Sequence, residues 1–295
     1  MIAVRNWDFA FADDGRDGSI AGYAHDTLVD RAFGATHTDL GLCRLEAGAA
    51  LSRHVHAYEQ CAYVLAGHPA VELGGEAYQL EAGDYLFFPV GGAHRWWNPG
   101  HEPATWLELA TPQARPARGD TLVLAEEPPA APTRPPFGDP TLRGIGRYLG
   151  TPSQLEALAI TDPARGRATA GMDSALLAYS GISVKMMVDA NLGADLLTMF
   201  MVDYEEGGAA QVHDHPFEEA YFFLEGEIEG EVEGEIRTFK AGEVLFCGVG
   251  VEHGFFNTSP GHVRWIETQA PQPPRRHSYR WPSHWSQLAQ RLRGA

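Results

Sequence analysis

Positive charge is scarce in this chain of 295 residues. The sequence has 22 Lys and Arg residues against 39 Asp and Glu residues, and only two of the basic residues, Lys185 and Lys240, are lysines. The formal net charge of −17 at pH 7 repels a phosphate backbone or an anionic membrane surface. We therefore expect neither nucleic acid nor a membrane as a partner.

Cysteine is scarce too, and long apolar runs are missing. The three cysteines, Cys43, Cys61 and Cys247, are far apart and form no Cys-x-x-Cys pair, so neither a disulfide framework nor a zinc ribbon is indicated. The first residues mix Arg, Asn and Asp with apolar residues, unlike a secretory signal, and no run approaches the roughly 20 residues of a membrane span. These features predict a cytoplasmic protein.

An internal repeat is the main feature that the sequence does contain. Residues 46–113 align with residues 205–272 without a gap, at an offset of 159 positions. Identical residues meet across this offset at the pairs Gly48/Gly207, His54/His213, His56/His215, Gly67/Gly226, Gly83/Gly242, His94/His253, Asn98/Asn257, Trp106/Trp265 and Glu108/Glu267. Chance does not keep such a register, so the chain is expected to contain two copies of one domain.

Both copies consist of short runs of Val, Leu, Ile, Phe and Tyr that are separated by glycines. Such runs are too short for helices and are typical of antiparallel strands. With 44% hydrophobic residues the chain can bury two cores, so we predict an all-β fold with two tandem jelly-roll β-barrels. The predicted domains are a first barrel at 1–113, a proline-rich linker at 114–175 and a second barrel at 176–295.

Two short helices are predicted outside the repeats. Residues 152–160 have capping-box spacing between Ser153 and Glu156, followed by leucines on one side. Near the C-terminus Trp285, Leu288 and Leu292 recur at helical spacing, which predicts a terminal amphipathic helix. We expect this helix to pack against a barrel or against another subunit of a homo-oligomer.

The second copy carries residues that suit a metal ion. His213 and His215 are two apart and share one face of a strand, and Glu219 keeps the same parity. His253 comes from a later strand that pairing across a barrel would bring to the same place. Imidazoles and a carboxylate suit Fe, Mn, Ni, Co, Cu or Zn, and a six-coordinate ion would keep positions open for water or substrate. We therefore predict a divalent transition metal in this copy.

These residues resemble the two sequence motifs of the cupin superfamily. The motif G-x5-H-x-H-x3-E-x6-G matches residues 207–226, and the motif G-x5-P-x-G-x2-H-x3-N matches residues 242–257, except that Gly248 replaces the proline. The first copy fits the same motifs. The resemblance implies a bicupin with a metal inside each barrel, but it implies no single reaction, because cupins include dioxygenases, decarboxylases, isomerases, an aminohydrolase, sugar-binding regulators and storage proteins.

The ligand set of the first copy departs from the motif at one position. His54, His56 and His94 match the histidines, but Gln60 stands where the glutamate is usual. An amide oxygen is neutral and a weaker partner for a cation, so an occupied site and a vestigial site both stay open. Glu59 could substitute only through a bulge, because it is out of phase with the histidines.

Other residues near the second ligand set are catalytic or pocket candidates. Tyr221, Phe223 and Phe255 share the parity of the ligands and should point into the barrel, either as core or as the wall of a pocket. Glu267 could orient a ligand histidine or accept a proton, or it could be exposed. The catalytic candidates are thus Glu219, Tyr221 and Glu267, whereas His25 has no partner pattern and receives no role.

The leading hypothesis is an enzyme of the Fe(II)-dependent dioxygenase type. A small organic substrate would bind at the open positions of the second-barrel metal. One alternative is a redox-neutral hydrolase, deaminase, isomerase or decarboxylase that uses Mn, Zn or Ni as a Lewis acid. Another is a binding or storage protein without catalysis. Oxygen dependence separates the first two, and metal removal tests the third.

Overall fold

The computed structural model describes residues 2–6, 21–115, 119–125, 128–139, 141–148, 156–158, 179–273 and 280. These residues form 21 β-strands and one short 3-10 helix, Arg31–Phe33, so the predicted all-β fold is confirmed. Within them there is no helix with the length and apolar character that crossing a bilayer requires. The predicted C-terminal helix lies outside the described residues.

The strands fall into two barrels, one for each copy of the repeat. The strands of the first barrel are β2 (Tyr23–Val29), β3 (Asp39–Leu45), β4 (His54–His56), β5 (Glu59–Ala66), β6 (Ala70–Leu73), β7 (Glu76–Gln79), β8 (Asp84–Phe88), β9 (His94–Trp97), β10 (Ala104–Thr111), β11 (Thr121–Val123) and β12 (Ile145–Arg147). The strands of the second barrel are β1 (Ile2–Asn6), β13 (Glu156–Leu158), β14 (Tyr179–Val188), β15 (Thr198–His213), β16 (Glu218–Glu225), β17 (Glu227–Val232), β18 (Glu235–Lys240), β19 (Glu243–Cys247), β20 (His253–Phe256) and β21 (Val263–Ala270).

Two antiparallel sheets form the first barrel. One has six strands in the order β12-β8-β5-β10-β3-β2, and the other has five in the order β11-β4-β9-β6-β7. Alternate side chains of both sheets form a buried cluster that includes Val64, Leu86 and Phe88. Trp96 and Trp106 stack within it with ring centroids 4.4 Å apart.

The second barrel has the same layers joined into one sheet, in the order β1-β19-β16-β21-β15-β20-β17-β18. The joining element is β15, whose 16 residues first pair with β21 and then with β20. At the offset of 159, this strand spans the positions from the start of β3 to His54, the first residue of β4. A single bent strand therefore runs along both layers of the second barrel.

The repeat is confirmed strand by strand. The bounds of β8, β9 and β10 differ from those of β19, β20 and β21 by 159 at both ends. Asn98 and Asn257 each donate from Nδ2 to backbone carbonyls, which explains the asparagine of the motif. Gly67 and Gly226 have φ of +79° and +78°, and a Cβ on either would lie 2.6 or 2.7 Å from a backbone oxygen. Only glycine fits these turns.

The compact units cross the predicted domain boundaries. Strand β1, from the start of the chain, pairs with β19 of the second barrel, whereas Met187–Leu197 belongs to the unit of the first barrel. Strands β11 and β12, from the proline-rich region, pair with β4 and β8. Strands β1, β11 and β12 each cover the edge of a sheet, where N–H and C=O groups would otherwise be unpaired. Residues 121–123 and 145–147 of the predicted linker are thus built into the first barrel.

The helix predicted over 152–160 is wrong where the structure describes it. Glu156–Leu158 forms strand β13, which pairs with β14 in antiparallel register. Pairing with an available strand edge outweighs the weak local preference for a helix.

Candidate metal centres and their cavities

The second barrel brings its three motif histidines together. His213 ends β15 and pairs directly with His253 at the start of β20, while His215 lies in the turn before β16. One ring nitrogen of each lies within 4.8 Å of the others, and all three residues are buried. The pairing of β15 with β20 therefore positions His213 and His253, whereas His215 reaches the cluster from the loop after β15 and not from a strand face.

Backbone carbonyls orient these rings. Nδ1 of His213 lies 2.7 Å from the carbonyl oxygen of Gln211, and Nδ1 of His253 lies 2.9 Å from that of Val251. A carbonyl can only accept, so Nδ1 carries a proton and Nε2 is the ring nitrogen that remains for the centre of the cluster. Burial and the neighbouring histidines hold the pKa of His213 well below its usual range, which keeps the ring neutral. A neutral imidazole with Nε2 free to bind is what a transition metal requires.

Glu219 completes this cluster. Its Oε2 lies 2.8 Å from Nε2 of His215 and 3.1 Å from Nε2 of His253. Its Oε1 accepts a hydrogen bond from Gln269 at 2.7 Å. Burial acts to raise the pKa of this carboxyl, but His215 and His253 outweigh it and hold the pKa well below the usual range. Glu219 is thus a carboxylate aimed at the same point as the histidines.

Little space remains around the second cluster. The cavity beside it measures about 20 Å³ and is lined by large side chains that include Phe200, Tyr221, Phe255 and Trp265. The hydroxyl of Tyr221 donates to Glu219 and lies 2.9 Å from Nε2 of His253. This volume suits about one water molecule and excludes an organic ring.

Glu267 lines the same small cavity. Its Oε2 accepts a hydrogen bond from Nε1 of Trp265 at 3.1 Å. Burial and the negative charge of Glu219 raise the pKa of Glu267 well above its usual range. Of the three catalytic candidates, Glu219 and Tyr221 touch the histidine cluster, whereas Glu267 lies behind it against Trp265.

The first barrel brings together His54, His56 and His94. His54 pairs with His94 across β4 and β9, and one ring nitrogen of each of the three lies within 4.8 Å of the others. The Nδ1 atoms of His54 and His94 donate to the carbonyls of Ser52 and Gly92, at 2.6 and 2.9 Å. Burial and His54 lower the pKa of His56 to about 3, so this ring is also neutral.

Two polar atoms in the first cluster are buried without a hydrogen-bond partner among the described residues. They are Nε2 of His94 and Oε1 of Gln60, an acceptor pair that would lose free energy in an empty apolar site. Both atoms could bind a cation, which would be the partner that their lone pairs lack among the described residues. Glu59 does not replace Gln60, because its carboxylate accepts hydrogen bonds from the backbone amides of Asp195 and Leu196 at 2.9 and 2.8 Å.

A larger cavity opens against the first cluster. It measures about 220 Å³, and its lining includes the three histidines, Gln60, Tyr58 and Trp96. The repeat explains the difference in volume: Ala62 and Gly41 occupy the positions of Tyr221 and Phe200, 159 residues earlier. Two rings that fill the second barrel are therefore missing from the first. The small residues at these two positions are visible in the sequence, but the prediction of a substrate site in the second barrel did not take them into account.

A further polar group lines the first cavity and was not expected from the sequence. Glu108, His25 and Cys43 place their ligand atoms within 4.8 Å of one another. Oε2 of Glu108 accepts from Nε1 of Trp106 at 3.1 Å and from Sγ of Cys43 at 3.5 Å. A Cβ at Gly41 would lie 2.3 Å from Nε2 of His25, so the glycine makes room for this imidazole. The second barrel has Val184 in place of His25.

Comparison with known proteins agrees with the two-barrel architecture. The family model described as "Cupin domain" matches twice, at residues 41–110 and 200–268. A curated relative, the polyketide synthase CurC of Streptomyces cyaneus, is 36% identical over 88 residues, which are 30% of this chain and 57% of that protein. The chain thus matches little more than half the length of this relative.

Solved structures extend the likeness over both barrels. A salicylate 1,2-dioxygenase from Pseudaminobacter salicylatoxidans matches with a TM-score of 0.70 at 14% identity, over 92% of this chain and 84% of that one. A mutant of the same enzyme in complex with gentisate gives a TM-score of 0.71 at 14% identity, over 92% and 82%. An oxalate decarboxylase mutant from Bacillus subtilis gives 0.59 at 16% identity, over 92% and 79%. At these identities the likeness concerns the fold.

Proposed function

Since the chain belongs to the cupin superfamily, as a bicupin with two tandem cupin domains, we propose that it is a metal-dependent dioxygenase of a small organic substrate. The substrate would bind in the first barrel. The observation that carries this proposal is the cavity of about 220 Å³ that opens directly onto His54, His56 and His94. The fold is shared with a salicylate 1,2-dioxygenase, which supports the class of reaction as a proposal.

The two barrels would have different roles, with the substrate bound in the first and a metal centre without a substrate site in the second. The second barrel has the fuller ligand set, with Glu219 beside its three histidines, but its cavity of about 20 Å³ leaves no room for an organic molecule. The first barrel has three histidines and a neutral amide, with space beside them. His54, His56 and His94, with Gln60, would hold the ion, and the cavity beside them would admit the substrate. Placing the substrate in the first barrel replaces the expectation that the second would hold it.

The residues of the first barrel would hold the ion and the substrate as follows. His54, His56 and His94 would bind the metal through Nε2, with their rings held by the bonds at Nδ1. Phe88 stacks on His94 with ring centroids 4.1 Å apart, which limits rotation of this ligand. Bound iron(II) would supply the electrons that spin-allowed reaction with dioxygen requires.

A proton acceptor is also needed when a hydroxyl of the substrate binds the metal as an anion. Gln60 cannot take up this proton, because an amide is neither acid nor base near neutral pH. Glu108 lines the same cavity and is the carboxylate that we assign to this step. Glu219, Tyr221 and Glu267, the catalytic candidates predicted from the sequence, would in this proposal support the second metal centre and would not touch the substrate.

The experiment combines metal analysis with oxygen dependence. Protein purified without a histidine tag or chelator is analysed for metals, as wild type, His54→Ala and His213→Ala, and each is screened against dihydroxylated and hydroxylated aromatic compounds in air and under argon. We expect turnover only in air, with one metal and all turnover lost in His54→Ala. His213→Ala should lose the other metal and retain turnover.

Three results contradict the proposal. Equal rates in air and under argon indicate a redox-neutral metal enzyme. Loss of turnover in His213→Ala alone places the substrate in the second barrel. Absence of bound metal in the wild type, even after anaerobic reconstitution, indicates a binding or storage protein.

A further inference from the structure

Carboxylates line one side of the cavity in the first barrel. Its lining includes the carboxylates of Asp39 and Glu108, which project from β3 and β10 of the six-stranded sheet. The metal-ligating histidines come from β4 and β9 of the five-stranded sheet. Among the described residues that line the cavity there is no lysine or arginine. A substrate held between the sheets therefore meets histidines on one side and carboxylates on the other.

Glu108 is held in place to receive a ligand. The hydrogen bonds from Trp106 and Cys43 both end on its Oε2, which fixes the plane of the carboxylate. His25 lies beside it and also lines the cavity. Oriented carboxylates bind ammonium and hydroxyl donors well, because a bond to a charged acceptor is stronger than one between neutral groups.

We propose that this cavity selects a neutral or cationic molecule with one ring and a hydrogen-bond donor for Glu108, and that it rejects organic carboxylate anions. The proposal rests on the proposed function, because the same molecule would bind the metal at His54, His56 and His94. The volume of about 220 Å³ sets the size. A cavity of about 150 Å³ accommodates benzene, so this one accommodates a single substituted ring.

The physical reason is the free energy of placing charge in a partly enclosed site. An anion brought near two carboxylates meets repulsion that solvent screens only weakly inside a cavity. The positive charge of the ion would lie at the histidines of the five-stranded sheet, so it would offset the charge of the groups bound there more than that of a substituent facing the six-stranded sheet. An ammonium group meets the opposite sign, and a neutral hydroxyl avoids the repulsion.

The test uses three catechols that differ in charge but not in the metal-chelating ring: dopamine, 4-ethylcatechol and 3,4-dihydroxyphenylacetate. Binding to zinc-loaded protein is measured by calorimetry under argon at pH 7, so that no turnover occurs. We expect dopamine and 4-ethylcatechol to bind at least tenfold more tightly than the acid. The variant Glu108→Gln, which keeps the acceptor for Trp106, should reduce the ratio of dopamine to acid affinity by at least fivefold. Glu102→Gln, at an exposed position, is the control and should leave the ratio unchanged.

The outcomes separate this inference from the proposed function. If the acid binds as tightly as the other two and all binding is lost in His54→Ala, the metal site stands and the charge selection is overturned. The same conclusion follows if Glu108→Gln leaves the ratio unchanged. If none of the catechols binds, or if binding persists undiminished in His54→Ala, the substrate site of the proposed function is wrong, and this inference fails with it.

Discussion

Removing the side chain of Tyr221 should lower the stability of the second barrel. The residue is 2% exposed, its ring lies 5.1 Å from that of Phe255, and its hydroxyl donates to Glu219. Truncation of a buried aromatic residue to alanine costs about 3–5 kcal/mol in free energy of unfolding. A hydrogen bond to a charged group contributes about 1.5–3 kcal/mol. We expect Tyr221→Ala to lose about 3–5 kcal/mol and Tyr221→Phe about 1.5–3 kcal/mol.

The assay is urea unfolding of the metal-free protein, followed by tryptophan fluorescence and far-UV circular dichroism. Metal-free protein is used because a bound ion would add its own binding free energy to the folded state. Ile236→Ala is the matched control in the same barrel, since this side chain is 71% exposed and its loss should change stability by less than about 0.5 kcal/mol. A change below about 1 kcal/mol for Tyr221→Ala, or identical curves for Tyr221→Phe and wild type, would refute the packing and the hydrogen bond described.

Three further predictions concern both barrels. Burial and His54 lower the folded-state pKa of His56 to about 3, so between pH 6.5 and 3 the unfolded chain binds more protons than the folded protein. The metal-free protein should therefore lose stability as the pH falls through this window. His56→Gln should weaken this pH dependence, which is measured from the midpoints of urea unfolding. Because Ala62 corresponds to Tyr221, which lines the small cavity of the second barrel, Ala62→Tyr should abolish catechol binding to the zinc-loaded protein while metal content is kept, with Ala62→Ser as control; unchanged binding would mean that the ring does not enter the cavity. Asn257 is 2% exposed, and Asn257→Ala leaves the carbonyls of Glu205 and Gly261 without their donor; it should cost about 1–3 kcal/mol in urea unfolding, whereas a loss below about 0.5 kcal/mol would show that water replaces the amide.

The repeat and the two histidine clusters could be predicted from the sequence because they depend largely on short-range geometry. Two histidines at i and i+2 share a strand face whatever the rest of the chain does. A glycine with positive φ and an asparagine that bonds backbone carbonyls recur wherever the same turn recurs, as at Gly67 and Asn98. These motif residues were therefore sufficient to predict the fold class correctly.

Cavity volume could not be predicted in the same way, although its cause is visible in the sequence. Ala62 and Gly41 acquire meaning only when Tyr221 and Phe200 are seen to fill the corresponding space of the other barrel. Likewise, His25 has no motif, and it joins Glu108 and Cys43 because β2, β3 and β10 are neighbours in one sheet. Side chains far apart in sequence meet through strand order, which periodicity does not encode.

The sequence by itself determined that the chain contains two cupin barrels with histidines directed inward, because strand parity and turn geometry are local. Only the tertiary structure decided which barrel has room for a substrate and where the edge segments pair. Residues 2–6 complete the second barrel through β19, and residues 121–123 and 145–147 complete the first. These choices depend on the unpaired edges and unfilled volume left after the barrels have formed, and such quantities exist only in three dimensions.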